Sequence, residues 1–226
     1  MTEGRVIAIV GAESTGKSTL ALALADRLTA QTGLRCSVVG EYLREWCDQA
    51  GRTPRPAEQR GIAEEQLRRV RAARAANDVV LADTMPLMVA VYSLRLFADD
   101  TLVPMAIAAH AEAAVTLLTA LDLPWVADGL QRDGPQVREP VDSLLRDWLI
   151  AHRLPWALVG GVGAARVDHA LDAVAPLLRG RPAPRRGLFS RLDERNAEPA
   201  ARAWFCENCD DAACEHLARR MGRGGA

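Results

Sequence analysis

Lysine is almost absent from this 226-residue sequence, which also lacks an excess of basic charge and a long apolar run. Lys17 is its single lysine, and the arginines alternate with Asp and Glu in a pattern typical of solvated helix faces. Because the formal net charge is -1, we expect neither nucleic acid nor an anionic membrane as a partner. No apolar run approaches the ~20 residues of a membrane span, and the first run is too short for a signal peptide. We therefore expect a cytoplasmic protein.

Composition indicates one α/β domain with a short appendage. Hydrophobic residues make up 49% of the chain and charged residues 25%, which is enough apolar material for a full core. The five cysteines are odd in number, and three of them cluster near the C-terminus. In a cytosolic protein such a cluster favours metal binding over disulfide bonds.

The single lysine lies in the most informative motif of the sequence. An apolar run is followed by G-x-x-x-x-G-K-S, from Gly11 to Ser18, and then by a helix-forming run, which is the order found in a P-loop. Glycines let successive backbone N–H groups point at a phosphate. Lys17 can reach the β- and γ-phosphate oxygens, and the Ser18 hydroxyl can bind Mg²⁺. The residues predicted to hold ATP and Mg²⁺ are Gly11, Glu13, Ser14, Thr15, Gly16, Lys17, Ser18 and Thr19.

A carboxylate follows the third predicted strand. Residues 78–82 form a short apolar run that ends at Asp83 and Thr84. An acidic residue at the tip of a buried strand in a P-loop protein can bind Mg²⁺ or take the proton from an attacking hydroxyl. The alternative is that Asp83 caps the helix that begins near Pro86. We predict a metal or catalytic role for Asp83.

Three polar residues, Glu41, Tyr42 and Arg44, directly follow the second predicted strand. Ligands of parallel sheets bind outside the carboxyl ends of the strands, so these side chains are expected near the phosphate loop. A charged first turn of a helix would explain the same residues without any ligand. Both interpretations remain open on position alone.

The segment 121–139 contains glycines, Trp125, Asp128 and the two arginines Arg132 and Arg138. A loop with glycine hinges beside a phosphate site is typical of a closing lid. An arginine of such a lid can neutralise charge that develops on the transferred phosphoryl group. The alternative is an ordinary surface loop.

Five apolar runs alternate with helical patterns up to residue 179. They predict strands over residues 6–10, 35–39, 78–82, 114–119 and 155–160. Alternation of this kind predicts a parallel, doubly wound sheet. The expected fold class is α/β, a P-loop NTPase three-layer sandwich with a five-stranded parallel sheet, plus a short C-terminal Cys-rich tail.

The C-terminal part divides into a predicted linker, residues 180–201, and a Cys/His tail, residues 202–226. The tail offers the four ligands that a closed structural Zn²⁺ site needs, namely Cys206, Cys209, Cys214 and His216. The first pair has the C-x-x-C spacing of a zinc knuckle, whereas C-x-H is unusual and requires an extended or turned backbone. Reduced free thiols are the alternative.

Four segments together resemble the ribosylnicotinamide kinase domain of NadR-like proteins. They are 11–20, 41–45, 83–84 and 123–130 (L-P-W-V-A-D-G-L), and the resemblance covers about residues 5–178. The P-W-V-x-D-G-L stretch at its distance from the phosphate loop is the specific part. In that family the domain uses ATP to phosphorylate the 5′-hydroxyl of nicotinamide riboside.

The resemblance implies a role for each candidate residue. It makes residues 1–179 a P-loop kinase-like domain that binds ATP and Mg²⁺ through residues 11–19, with Asp83 serving the metal or the hydroxyl and with a lid that carries Arg132 and Arg138. The residues expected to line the nucleoside site are Glu41, Tyr42, Arg44, Trp125 and Asp128.

The sequence also departs from the family pattern. The family continues Asp-Thr-Asp where this chain has Asp83, Thr84 and Met85, and the cysteine-rich tail is not part of the kinase pattern. Two other functions therefore remain open. One is an ATP-binding regulator or interaction module with a zinc-binding tail, and the other is a kinase for a different small molecule.

Overall fold

The structure is a computed structural model, and it describes residues 3–126 and 134–178. Its strands are β1 (Arg5–Val10), β2 (Cys36–Val39), β3 (Val79–Asp83), β4 (Val115–Thr119) and β5 (Trp156–Val159). Its helices are α1 (Lys17–Thr32), α2 (Tyr42–Ala50), α3 (Pro56–Ala76), α4 (Pro86–Phe97), α5 (Val103–His110), α6 (Arg138–Ala151) and α7 (Ala164–Leu178), and a 3₁₀ turn (Pro135–Val137) precedes α6.

The five strands form one parallel sheet in the order β2-β3-β1-β4-β5. The central strand β1 pairs with β3 on one side and with β4 on the other, so that Ile9 is level with both Asp83 and Leu117. The carboxyl ends of these three strands therefore meet at one edge of the sheet. This confirms the predicted five-stranded parallel sheet.

Helices cover both faces of the sheet. Ile7 and Ile9 of β1 pack against α1 and α7, whereas the intervening Val6, Ala8 and Val10 pack towards α3, α4 and α6. All five residues are buried. A strand that is buried on both faces has no polar alternation, which explains why the sheet was visible as continuous apolar runs. The α/β three-layer sandwich is thus confirmed, while the Cys-rich tail lies outside the described residues.

The third strand extends one residue further than predicted. Asp83 is the last residue of β3, because the N–H of Thr84 still donates to the carbonyl oxygen of Ile9 at 3.0 Å. Asp78 instead precedes the strand, and its carboxylate pairs with Arg35 at the amino edge of the sheet. Asp83 therefore belongs to the sheet, at its carboxyl edge, and not to the loop that follows β3.

Two negative findings apply to the described residues. None of the helices within 3–126 and 134–178 combines the length and the apolar character needed to cross a bilayer. In the same two ranges, no group of three or more His, Cys, Asp or Glu side chains could hold a metal ion.

A buried histidine makes folding stability depend on pH. His110 is 1% exposed, its Nε2 lies 2.8 Å from the Thr116 Oγ1 of β4, and burial lowers its pKa to about 4. The unfolded chain binds a proton at this site near the ordinary pKa of 6.5, whereas the folded protein does not. The neutral ring therefore stabilises the fold fully above pH 6.5, and this contribution is lost as the pH falls towards 4.

We expect the free energy of unfolding to fall by about 2 kcal/mol between pH 7 and pH 5 because of His110 alone. Urea denaturation measures the free energy of unfolding of the H110L variant over this pH range. That free energy should depend less on pH than it does in the wild type, by this amount. The exposed His152 supplies the matched control, and H152Q should keep the wild-type slope. Equal slopes in wild type and H110L would contradict the assignment.

Candidate functional site

The phosphate loop connects β1 to α1, and its path requires glycine at two positions. Gly11 has φ 154° and Gly16, which precedes α1, has φ 76°, a left-handed conformation that favours glycine. A Cβ on Gly11 would lie 2.0 Å from the Thr119 Oγ1 of β4. The backbone of the loop at Gly11 therefore packs directly against the carboxyl end of β4 and leaves no space for a side chain.

Two buried threonines brace this loop from inside. Thr15 Oγ1 donates to the carbonyl oxygen of Ala12 at 2.8 Å, and it lies 2.6 Å from Thr119 Oγ1. Thr119 Oγ1 also lies 3.2 Å from the carbonyl oxygen of Val10. Both residues are completely buried, so the Thr15 hydroxyl holds the loop in shape and does not itself face the solvent.

The lysine lies across the loop. Lys17 Nζ donates to the carbonyl oxygens of Gly11 and Ala12 at 3.0 and 2.9 Å. Ser18 and Thr19 follow it, exposed in the first turn of α1, where the helix N-terminus favours negative charge. The predicted residues 11–19 thus come together as one concave loop with a cation at its centre, the arrangement expected of an anion-binding P-loop.

The Asp83 carboxylate lies beside this loop. Its Cα pairs with that of Ile9, two residues before the loop begins, and the side chain is 3% exposed. Among the described residues, Oδ1 has no hydrogen-bond partner. Buried oxygen atoms of this kind need a partner, and Mg²⁺ prefers carboxylate and hydroxyl oxygens. Asp83 and the Ser18 hydroxyl therefore fit the Mg²⁺ ion that accompanies ATP.

An arginine missed by sequence reasoning supports the phosphate loop. Arg166 of α7 is 4% exposed, and its Nη2 donates to the carbonyl oxygens of Thr15 and Ala120 at 2.8 and 3.3 Å. Its Nη1 pairs with Asp122 at 2.6 Å and donates to the carbonyl oxygen of Gly161 at 2.7 Å. Arg166 thus fastens the phosphate loop to the segments that follow β4 and β5.

The pKa of Asp122 depends on its burial and on its contacts with Arg166 and Gly161. Burial, the largest single influence, works to raise the pKa of Asp122. Hydrogen bonds from Arg166 and from the backbone N–H of Gly161 outweigh burial and hold the pKa below its usual value. Asp122 therefore stays ionised and keeps the Arg166 guanidinium in place at neutral pH.

Removing Arg166 should loosen the phosphate loop. In R166M, Asp122 and three carbonyl groups lose a buried donor, so we expect the free energy of unfolding to fall by about 2 kcal/mol and the KM for ATP to rise. The control is R27M, because Arg27 also links α1 to α7 through Asp168 but both side chains are half exposed. Urea denaturation and steady-state kinetics measure the two effects. An unchanged KM for ATP in folded R166M would contradict this role.

A cavity of about 340 Å³ opens directly beside the phosphate loop. Its charged and polar lining includes Glu13, Ser14, Lys17, Glu41, Arg44, Thr53 and Gln59. Its apolar lining includes Leu43, Cys47, Pro54, Met88, Tyr92, Leu96 and Phe97. A volume above about 300 Å³ with mostly apolar walls and a few polar groups is typical of a small-molecule site.

Two of the predicted acceptor residues lie in this cavity. Glu41 and Arg44 both line it, and their side chains are 3.8 Å apart. Tyr42 does not line it, because its ring packs under the Arg69 guanidinium, 4.3 Å from the ring centre. The direct acceptor contact of Tyr42 therefore stays a prediction, and Tyr92 of α4 supplies an aromatic ring in the cavity.

A buried glutamine connects the segments that follow β2 and β3. Gln66 of α3 accepts a hydrogen bond from the N–H of Tyr42 at 2.8 Å. Its amide nitrogen donates to the carbonyl oxygens of Gly40 and Thr84 at 3.3 and 3.4 Å. Gln66 thereby fixes the segments that carry Glu41 and Asp83 relative to each other.

The predicted lid begins beside the phosphate loop. The backbone N–H of Val126 donates to Ser14 Oγ at 3.1 Å, and Ser14 Oγ lies 2.8 Å from the Val126 carbonyl oxygen. Trp125, one residue earlier, is half-buried, with no partner for Nε1 in the described part of the chain. Arg138, at the start of α6, is buried. Asp128 and Arg132 lie outside the described residues.

Structures of known proteins share this fold. A NadR protein in complex with NR has a TM-score of 0.64 and 21% sequence identity over 80% of this chain. A NadR protein in complex with NAD and AMP-PNP has a TM-score of 0.57 and 19% identity over 76% of this chain. The match spans 53% and 49% of those chains, so this protein corresponds to about half of their length.

A thymidylate kinase is also similar in structure. The enzyme from Ehrlichia chaffeensis has a TM-score of 0.55 and 13% identity, and the match covers 78% of this chain and all of that one. The resemblance to NadR-like proteins noted in the sequence is thus confirmed at the level of the fold. No curated protein matches the sequence.

The sequence itself matches one family model. Residues 6–166 fit the model of an AAA domain, and this range runs from β1 through the phosphate loop to the arginine that supports it. The match, the parallel sheet and the packed glycine loop with Lys17 agree with one another. The chain belongs to the AAA-domain family, and it is a P-loop nucleotide-binding protein.

Proposed function

We propose that the protein transfers the γ-phosphoryl group of ATP to a hydroxyl group of a nucleoside, with nicotinamide riboside as the leading acceptor. The observation that carries the proposal is the cavity that shares Ser14 and Lys17 with the phosphate loop. A nucleotide's terminal phosphate held by Lys17 would face whatever occupies that cavity. A regulator that only bound ATP would have no need for a deep, mostly apolar space at this point.

Positioning and charge neutralisation would account for most of the catalysis. The phosphate loop would hold the β- and γ-phosphates through its backbone N–H groups, and Lys17 would neutralise charge on the oxygens that bridge donor and acceptor. Mg²⁺, when bound, supplies further charge stabilisation between the phosphates. Ser18 and Asp83 would hold it.

The acceptor would lie among the residues of α2, α3 and α4 that line the cavity. Glu41 lines it, and its carboxylate lies 3.8 Å from the Arg44 guanidinium. Glu41 is therefore suited to orient the attacking hydroxyl and to take its proton. Tyr92 and Phe97 offer faces on which a planar base can stack.

The choice of nicotinamide riboside rests on similarity. The motifs at 11–20, 41–45, 83–84 and 123–130 resemble the ribosylnicotinamide kinase domain of NadR-like proteins, and a NadR protein in complex with NR shares the fold. The thymidylate kinase shares it as well, so the acceptor class extends to other nucleosides and nucleotides.

The test is an acceptor panel. The protein is incubated with ATP, Mg²⁺ and single nucleosides, including nicotinamide riboside, and the products are identified by mass spectrometry. We expect a nucleoside 5′-monophosphate together with an equal amount of ADP. If ATP binds tightly but no nucleoside is phosphorylated, the protein is a regulator or acts on another substrate.

We also propose that the tail binds one structural Zn²⁺ through Cys206, Cys209, Cys214 and His216, all outside the described residues. Metal analysis should find about one zinc per chain. Since residues 3–126 and 134–178 contain no competing cluster, loss of zinc would report on the tail. The C206S/C209S variant should lose the metal, whereas C36S, a change in β2, should keep it. Full zinc content in the double variant would refute the site.

A further inference from the structure

One buried amide oxygen, Gln59 Oε1 in the cavity wall, has no hydrogen-bond partner within the described part of the chain. Gln59, in the first turn of α3, is 2% exposed and lines the cavity beside the phosphate loop. Among the described residues, nothing hydrogen-bonds to its Oε1. Roughly nine in ten buried polar groups in proteins are paired, so an orphaned amide oxygen in a cavity wall calls for an explanation.

Gln66 on the same helix shows that α3 can satisfy a buried glutamine when the role is structural. It is also 2% exposed, yet it is bonded at both ends to the backbone near the strand ends. Gln59 lies about 10 Å from it along the helix, beyond the strand ends. The two residues share a helix face but differ in what they contact, because only Gln59 lines the cavity.

The surroundings of Gln59 indicate which part of a ligand it would meet. Lys17 belongs to the phosphate loop and would face the phosphate and the reacting hydroxyl, to which we also assign Glu41. Most of the remaining wall is apolar, including Tyr92 and Phe97, and would enclose a ring. A single amide in such a wall can recognise a polar group on the edge of that ring.

We infer that Gln59 determines acceptor specificity by accepting a hydrogen bond through Oε1 from an N–H donor on the acceptor's ring. The acceptor class is therefore a nucleoside whose base carries a primary amide or an amino group. A base that carries a carboxylate at the same position offers Oε1 no donor, so we expect it to bind more weakly than the amide. This inference rests on the proposed function for the acceptor site.

The test compares nicotinamide riboside with nicotinic acid riboside, which differ in an amide against a carboxylate. Dissociation constants are measured by calorimetry without ATP, and kcat and KM are measured with it. In Q59M we expect roughly tenfold weaker binding of the amide nucleoside and a correspondingly smaller preference over the acid. The kcat and the KM for ATP should be unchanged, and Q59E, which keeps an acceptor oxygen, should restore much of the affinity.

The matched control is Q31M. Gln31 has a buried Oε1 without a partner in the described part of the chain, but it lies in the last turn of α1, away from the cavity. The Q31M variant should bind both nucleosides with the affinity of the wild type. A wild-type binding ratio in Q59M, or in Q59A if Q59M does not fold, overturns the inference.

The two hypotheses fail in different ways. Binding of the amide nucleoside without phosphorylation would refute the kinase function, and the ratio of dissociation constants would still decide the role of Gln59. Absence of binding by every nucleoside in the panel would overturn both.

Discussion

Replacing Lys17 by Met should lower kcat for phosphoryl transfer by about a thousandfold. Met keeps most of the length of the side chain and removes the charge that faces the γ-phosphate. No second lysine exists in the 226 residues to replace it, and the loop around it is braced independently by Thr15 and Thr119. K17M also removes the two hydrogen bonds from Nζ to the loop carbonyls, but with this bracing we expect most of the loss to come from missing charge stabilisation.

The control is K17R, which keeps the charge but not its shape. A planar guanidinium cannot place a single point charge between two phosphates as an ammonium does, so we expect it to restore only part of the activity. Thermal denaturation should show both variants folded. A K17M protein with more than a tenth of wild-type kcat would contradict the P-loop mechanism.

The single lysine allows a chemical version of the same test. An amine-selective reagent can modify only Lys17 and the N-terminal amino group, and mass spectrometry separates the two positions. ATP should protect Lys17 and leave the terminal amine unprotected. Equal labelling of Lys17 with and without ATP would show that the nucleotide does not cover it.

The second large effect is expected for Asp83. D83N preserves the shape of a buried side chain that has no hydrogen-bond partner for Oδ1 among the described residues. It removes the charge that would hold Mg²⁺, so kcat should fall by at least about a hundredfold and the Mg²⁺ concentration for half-maximal rate should rise. Titration of activity with Mg²⁺ measures both.

A matched control lies at the opposite end of the same strand. Asp78 precedes β3 and pairs with Arg35 at the amino edge of the sheet, away from the phosphate loop. D78N should therefore keep wild-type kcat and Mg²⁺ dependence. E41Q should lower kcat without a change in the Mg²⁺ requirement, since we assign Glu41 to the hydroxyl and Asp83 to the metal. A normal Mg²⁺ dependence in D83N would contradict that division.

Much of the fold was predictable because its signals are local. The central strands β1, β3 and β4 are buried on both faces and are therefore largely apolar runs, and the phosphate loop needs its glycines and lysine at fixed spacing. The position of Asp83 beside the loop followed from the general rule for parallel sheets. The structure moved it by one residue, into the strand itself.

Residues that act through long-range packing were not predictable in this way. Thr119 and Arg166 support the phosphate loop from positions 104 and 151 residues away in the sequence, and nothing in their local pattern indicates this. Only the topology brings β4 and α7 to the loop. The one available signal for Arg166 was its position in the first turn of a helix that directly follows a glycine-rich turn.

The sequence also could not predict which single side chains line the cavity. Position after β2 predicted that Glu41, Tyr42 and Arg44 lie near the phosphate loop, but it could not show that Glu41 and Arg44 line the cavity while Tyr42 packs against Arg69. Gln59 and Gln66 interrupt the apolar stripe of α3 seven residues apart. That interruption was the only sequence signal for the two glutamines, and it could not reveal that one binds backbone and the other lines a cavity.

The central claim is that the cavity beside Lys17 receives the γ-phosphoryl acceptor. The most direct measurement is ADP formation with and without nicotinamide riboside and other nucleosides, with the product identified by mass spectrometry, in the wild type and in K17M. We predict that a nucleoside accelerates ADP formation, that each ADP is matched by one nucleoside 5′-monophosphate, and that K17M shows neither. ATP hydrolysis at the same rate with every nucleoside and without any, and with no phosphorylated product, would contradict the account.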